Sequence, residues 1–163
     1  MRTKSLVRCG LGAALALTAW ATTFAQMPNP YGMPITLAAA KKVAAPALAE
    51  AAKNNWNMAV AVVDTAGNLV YYERMDNTQI GSATVAIDKA RTAVLYKRPS
   101  KALQDALAAG GQGLRVLGLR NATPIEGGVP LVSEGKIVGA IGVSGGTSVQ
   151  DGQCAQAAAD SLK

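Results

Sequence analysis

Apolar and polar positions change period several times along the chain, and each change marks an element. Residues 37–55, LAAAKKVAAPALAEAAKNN, set Leu37, Val43 and Leu48 along one side of an alanine-rich stretch, which predicts a helix. Thr36 stands where a hydroxyl can accept from the first free N–H groups. Pro46 lacks the N–H that a helix interior needs, so a kink or a division is expected there. Residues 57–64, NMAVAVVD, form a short valine-rich run, the mark of a buried strand. The turn DTAGN and the run NLVYYERM make it the first arm of a hairpin. In residues 82–96, Ser82, Val85, Lys89, Thr92 and Tyr96 recur three or four apart and share one helical face. Pro99 interrupts that element, and SKALQDALAAGGQG reads as a short helix stopped by Gly110-Gly111. Two further apolar runs joined by Glu134-Gly135-Lys136 predict a second hairpin, and residues 151–162 a closing helix with Asp151 at its N-cap. The order is helix, hairpin, helix, helix, hairpin, helix. It predicts an α+β fold with an antiparallel sheet flanked by helices.

The N-terminus does not share this pattern. Arg2, Lys4 and Arg8 precede the apolar run LGAALALTAWATTF, and small residues follow at Ala21 and Ala25. A basic head, a short apolar middle and a small-residue exit predict a signal peptide over 1–25, cleaved after Ala21 or Ala25. The run is too short for a convincing membrane span. A periplasmic or secreted protein without a stable span after cleavage is therefore expected. Residues 26–34, QMPNPYGMP, predict an extended lead-in.

Removing the signal changes the charge. The chain holds 16 Lys+Arg, 10 Asp+Glu and no His, for a net +6. Three basic residues leave with the signal, so the remainder is only mildly basic. It has no basic stripe interleaved with aromatics, and nucleic-acid binding finds no support. Cys9 leaves too, so Cys154 has no partner for an internal disulfide and reads as a small buried residue on a helix face. Aromatics are 4% of the chain. A core of Ala, Val and Gly, with close backbone approaches, follows.

Composition excludes much chemistry. Without histidine there is no Ser-His-Asp or Cys-His arrangement and none of the usual zinc patterns, so no metal site is expected. Gly139, Gly142 and Gly145 are spaced G-x-x-G-x-x-G, with Gly139 and Gly142 inside an apolar strand, which matches neither a dinucleotide fingerprint nor a P-loop. Strand glycines mark a bulge or the close approach of a backbone or a ligand. What remains is a set of charged residues at element ends: Asp64, Arg74, Asp76, Lys89, Arg91 and Glu126. Each alone has an ordinary reading as a turn cap or an internal ion pair. Together they outline a pocket for a small anionic ligand. Arginine grips a carboxylate with two bonds, lysine holds one as a point charge, and the N–H groups of Gly127-Gly128 add an anion-friendly edge.

The segments NNWNMAVAVVDTAGNLVYYERMD, KARTA and EGGVPLVSEGKIVGAIGVSGGTSVQDGQCAQAAA, in that order, resemble the GlcG/HbpS family of haem-binding-like proteins, a family that also supplies the C-terminal domain of PduO-type proteins. The likeness makes 35–163 one domain. It implies a profilin-like α/β/α sandwich with a five-stranded antiparallel sheet, the fifth strand falling in 112–124. It implies homo-oligomers from dimer to octamer, and haem or a related tetrapyrrole as ligand. The alternatives it leaves are haem degradation or an enzyme acting on a small hydroxy acid. Matching motif positions place Arg74, Met75, Asp76, Lys89, Thr92, Glu126, Gly127, Gly128, Val129 and Pro130 around the pocket. Arg74 and Lys89 would meet carboxylates, and Val129 and Pro130 would supply apolar wall. Glu126 would orient Lys89 or act as a base. With no histidine, an axial haem ligand would come from Met, Tyr, Lys, Thr or Cys154.

Overall fold

The computed structural model describes residues 28–162. The expected signal peptide, its cleavage positions and Cys9 lie outside the described residues. Helix α1 (Leu37–Lys53) leads into β1 (Ala59–Val63) and β2 (Leu69–Arg74). Helices α2 (Ser82–Leu95) and α3 (Ser100–Ala108) follow, then a 3-10 helix (Gly111–Gly118). Strands β3 (Gly128–Ser133) and β4 (Lys136–Ser144) precede α4 (Ser148–Asp160). The strands form one antiparallel sheet in the order β2-β1-β4-β3.

Alternation along β1 explains the layers. Its valines Val60 and Val62 join Ile141, Val143 and Leu131 on the face covered by α1 and α4. Its alanines Ala59 and Ala61 meet Ala86 of α2 on the other face. Side chains of a strand point alternately to the two faces, so AVAVV gives one face Val60 and Val62 and the other two alanines before Val63, which packs on Val94 and Ile137. On the thin face the backbones come together. A methyl group at Gly142 would stand 2.0 Å from the Ala86 carbonyl oxygen, and one at Gly128 2.1 Å from that of Lys89. On the other face, a methyl at Gly139 would meet the Val63 carbonyl oxygen of the neighbouring strand at 2.3 Å and the Ile35 side chain at 3.0 Å. The strand glycines thus make room for the chain's own backbone, not for another subunit or a ligand.

On the opposite face α1 and α4 pack alanine to alanine through Ala40, Ala44, Ala47, Ala155 and Ala158. Thr36 caps α1, accepting from Ala39 N–H at 3.2 Å. Pro46 neither divides the helix nor ends it. The carbonyl deprived of its bond is that of Lys42, an exposed residue that water can serve. In α4 the expected cap is displaced: Thr147, not Asp151, is the N-cap and forms a capping box with Gln150.

The sheet has four strands, not the five expected. Residues 112–124 hold most of the 3-10 helix and then turns. Gly110 and Gly111 enter it with φ of 66° and 52°, and its two inward positions, half-buried Gly113 and buried Val116, stand three apart instead of alternating. What extends the sheet is the lead-in. Strand β4 runs past the end of β1, and there Tyr31 forms a parallel bridge with Ile137. Gly32 N–H donates to Ile137 O and Ile137 N–H to Pro30 O, both at 2.8 Å.

The thin face sets a test. Gly142→Ala should lower stability by about 1–3 kcal/mol, because neither backbone can yield. Gly81→Ala, where an added methyl meets nothing within 4 Å, should change it by less than about 0.5 kcal/mol. Urea midpoints of the two variants would separate these cases, and equal midpoints would refute the close-approach reading.

Candidate functional site

Lys89 is the largest fully buried side chain described. It starts on α2, on one face of the sheet, and its ammonium ends against Asp151 of α4, on the other. The Nζ–Oδ2 distance is 2.6 Å, with side chains 1% and 4% exposed. The crossing occurs at the end of the sheet, between β4 and the residue before β3. There Val143 N–H donates to Gly127 O at 2.9 Å. Val143 O, which in a regular pair would take the return bond, accepts from Lys89 Nζ at 3.1 Å. Asp151 Oδ1 also accepts from Gly146 N–H at 3.0 Å. Burial pushes the Asp151 carboxyl above the usual carboxylate range, opposed by the Lys89 ammonium and backbone N–H groups. Gly127 roofs the pair: a methyl there would lie 2.9 Å from both Lys89 Nζ and Asp151 Cβ. Its φ of 126° also favours glycine.

Above that roof opens a cleft of ≈ 390 Å³. Glu126, Gly127, Gly128 and Val129 form one wall, Pro99 and Lys101 of the α3 entrance a second, and Val149, Gly152, Gln153 and Gln156 of α4 a third. The loop wall is fixed from below. Ser100 Oγ donates to Ile125 O at 2.6 Å and accepts from Gly128 N–H at 2.9 Å. Glu126 N–H donates to Gln104 Oε1 at 2.8 Å. The N–H of Gly128 is therefore engaged within the chain and is not part of a free anion-binding edge. The Glu126 carboxylate lies against Gly152, where a methyl would stand 2.5 Å from its Oε1. Lys101 is paired with Asp105 at 2.7 Å. Its hydrogen bond to Asp105, with a smaller contribution from Glu126, holds its ammonium above the usual lysine range.

The residues expected at the pocket therefore divide. Glu126, Gly127, Gly128 and Val129 line the cleft. Pro130 lines two adjoining clefts of ≈ 360 and ≈ 610 Å³ along β3, with Val129 and Val132. Lys89 lies beneath the floor and is held by Asp151, not oriented by Glu126. Thr92 is buried behind α2, where its hydroxyl donates to Asp88 O and accepts from Thr123 N–H, both at 2.7 Å. Arg74, Met75 and Asp76 are at the end of β2, the opposite edge of the sheet. Three strand spacings, roughly 14 Å, separate them from the entrance of β3. Arg74 and Asp76 are exposed, while Met75 is half-buried against the core under α1 and α4.

Lys101, Gln153, Gln156 and the role of Asp151 escaped the sequence reading. The T-x-x-Q pattern at Thr147–Gln150 could have released Asp151 from the capping role. The glutamines carry no sequence signal. Asp151→Ala should cost about 3–5 kcal/mol, since it leaves the Lys89 ammonium buried without a counter-ion. The double variant Lys89→Met/Asp151→Leu should recover much of that loss. Denaturation curves of the three proteins test the pair, and a loss that the double variant does not relieve would refute it.

A family model described as "Haem degrading protein HbpS-like" matches residues 35–160. An uncharacterized 15.0 kDa protein from the dhaT-dhaS intergenic region of Citrobacter freundii is 38% identical over 128 residues, 77% of this chain and 90% of that protein. The structure of a double mutant of Streptomyces reticuli HbpS superposes with a TM-score of 0.74 at 32% identity, covering 93% of this chain and 99% of that one. A complex of PduOC with haem gives a TM-score of 0.71 at 26% identity, covering 80% and 96%.

Proposed function

The chain belongs to the HbpS-like family, and we propose that it binds haem or a related tetrapyrrole in the cleft at the entrance of β3. The observation that carries this reading is the make-up of that ground. Pro99, Val129 and Val149 give apolar wall, and glycines leave the floor flat. The adjoining clefts continue the apolar surface through Pro130, Val132 and Ile137. Lys101 and Lys97 stand at the rims, where ammonium groups can meet ligand carboxylates.

The donor set narrows the choice of axial ligand. Burial pushes the Cys154 thiol up to about 11, which keeps it from acting as a thiolate. Met58 is in the core, and the Thr92 and Tyr96 hydroxyls are bonded within the chain. Within the cleft the Glu126 carboxylate and the amide oxygens of Gln153 and Gln156 are the donor atoms, since Asp105 holds Lys101 as an ammonium with no lone pair to give. A bound haem would supply iron redox chemistry. The chain's part is to hold its face and carboxylates and to exclude water.

Haem degradation is a second reading. It is favoured by the half-buried Glu126 carboxylate, which makes no hydrogen bond among the described residues and is placed to exchange a proton. In that case Glu126→Gln would bind haem but no longer consume it. An enzyme acting on a small hydroxy acid would use the same carboxylate, with Lys101 holding the acid.

The protein in this reading is exported, to the periplasm or medium, and assembles as a homo-oligomer. Its mature N-terminus would be Thr22 or Gln26, which the intact mass of the exported protein decides. Haemin titrated into micromolar protein should give a shifted Soret band, and Lys101→Glu should weaken the affinity about tenfold, the scale of one charge-assisted bond. An unshifted band would end the haem reading.

A further inference from the structure

The 3-10 helix that took the place of the expected fifth strand carries a surface that the cleft does not use. Three residues per turn bring positions i and i+3 into line, so this helix has three separate faces. One points inward through Gly113 and the buried Val116. A methyl at Gly113 would stand 1.8 Å from the Ala106 carbonyl oxygen, which seats the helix on α3. The second face carries Leu114 and Leu117, 54% and 69% exposed. The third carries Arg115, whose guanidinium donates to Gln112.

The run that carries the leucines is basic, bounded by Asp105, which Lys101 holds, and by Glu126 at the cleft. Residues 106–125 contain Arg115 and Arg120 and no acidic residue. Arg98 is brought alongside because Tyr96 accepts from the Arg98 guanidinium through its carbonyl and donates from its hydroxyl to Arg120 O. None of the three arginines has a carboxylate within ion-pair distance among the described residues. Two exposed leucines beside unpaired arginines would repel a second copy approaching about a two-fold axis, since like charges would meet. They suit a partner that is apolar beneath and negative above.

We propose that the Leu114–Leu117 face docks on an anionic lipid surface, the leucines entering the headgroup boundary and Arg98, Arg115 and Arg120 meeting lipid phosphates. The attachment is peripheral: among the described residues no helix is long and apolar enough to cross a membrane. The inference is independent of what the cleft binds.

Co-sedimentation with phosphatidylcholine vesicles, with and without phosphatidylglycerol, tests it. Because the basic, apolar stretch before residue 25 would also meet lipid, the informative quantity is the difference between wild type and variants of the same full chain. Wild type should favour the anionic vesicles and lose that preference as salt rises. Arg115→Glu/Arg120→Glu should weaken the binding more than tenfold, from about fivefold for each cation, with an unchanged circular dichroism spectrum. Leu117→Ser should weaken it while keeping the salt dependence. Equal sedimentation of wild type and the arginine variant would overturn the proposal. So would a Leu117→Ser variant with unchanged vesicle binding but a smaller assembly mass by light scattering, which would make the leucines a contact between copies.

Discussion

A single ion pair ties the two helical layers together. Lys89 comes from α2 and Asp151 from α4, and the sheet lies between those helices. Their charges meet only because the ladder between β3 and β4 gives up one bond at its end, where Val143 O accepts from the ammonium. Two opposite charges taken out of water in this way need both each other and further hydrogen bonds. Val143 O and Gly146 N–H supply them. The arrangement fixes three things at once: the approach of α2, the N-terminal turn of α4, and the glycine at position 127. It also sets the floor of the cleft, so the site's shape depends on a contact that no ligand touches.

The rest of the packing is compatible with that pair because it is thin. Alanine, glycine and serine face each other between α2 and the sheet, through Ala86, Ala59, Ala61 and Gly142. Backbone stands against backbone there, so the layers are close enough for a lysine to span them. Larger side chains on that face would move α2 outward and separate Lys89 from Asp151. Most of the bulky side chains are on the other face, where Val60, Val62, Ile141 and Val143 fill the space under α1 and α4, while Val63, Val94 and Ile137 pack farther along α2, away from the Lys89 end.

The stretch from Pro99 to Gly128 has little ladder pairing, and side chains take over its backbone groups. Ser100 holds Ile125 and Gly128, Thr92 holds Thr123, Tyr96 holds Arg120, and Gln104 holds Glu126. Buried backbone groups must find partners. Here short polar residues on α2 and α3 provide them, and Thr92 serves that purpose instead of lining the pocket. The same stretch presents Glu126 to the cleft on one side and Leu114 and Leu117 to solvent on another.

Much of this was present in the sequence because it depends on local rules. The alternation in AVAVV, the turn DTAGN, the cap at Thr36 and the lack of aromatics marked the hairpins, the helices and a close-packed core. The motifs then marked the family. One local reading failed where a better local candidate prevailed, since Thr147 displaced Asp151 as cap, and at Pro46 the helix continued undivided. The site was less legible. Periodicity could put Lys89 on a buried face but not say that Asp151, 62 positions away, would meet it. Nor could motif order show that Arg74 and Glu126 belong to opposite edges of the sheet. Residues sharing an element are set by spacing along the chain. Residues sharing a site are set by strand order and by how closely the layers approach, and those follow only from the whole chain packed together.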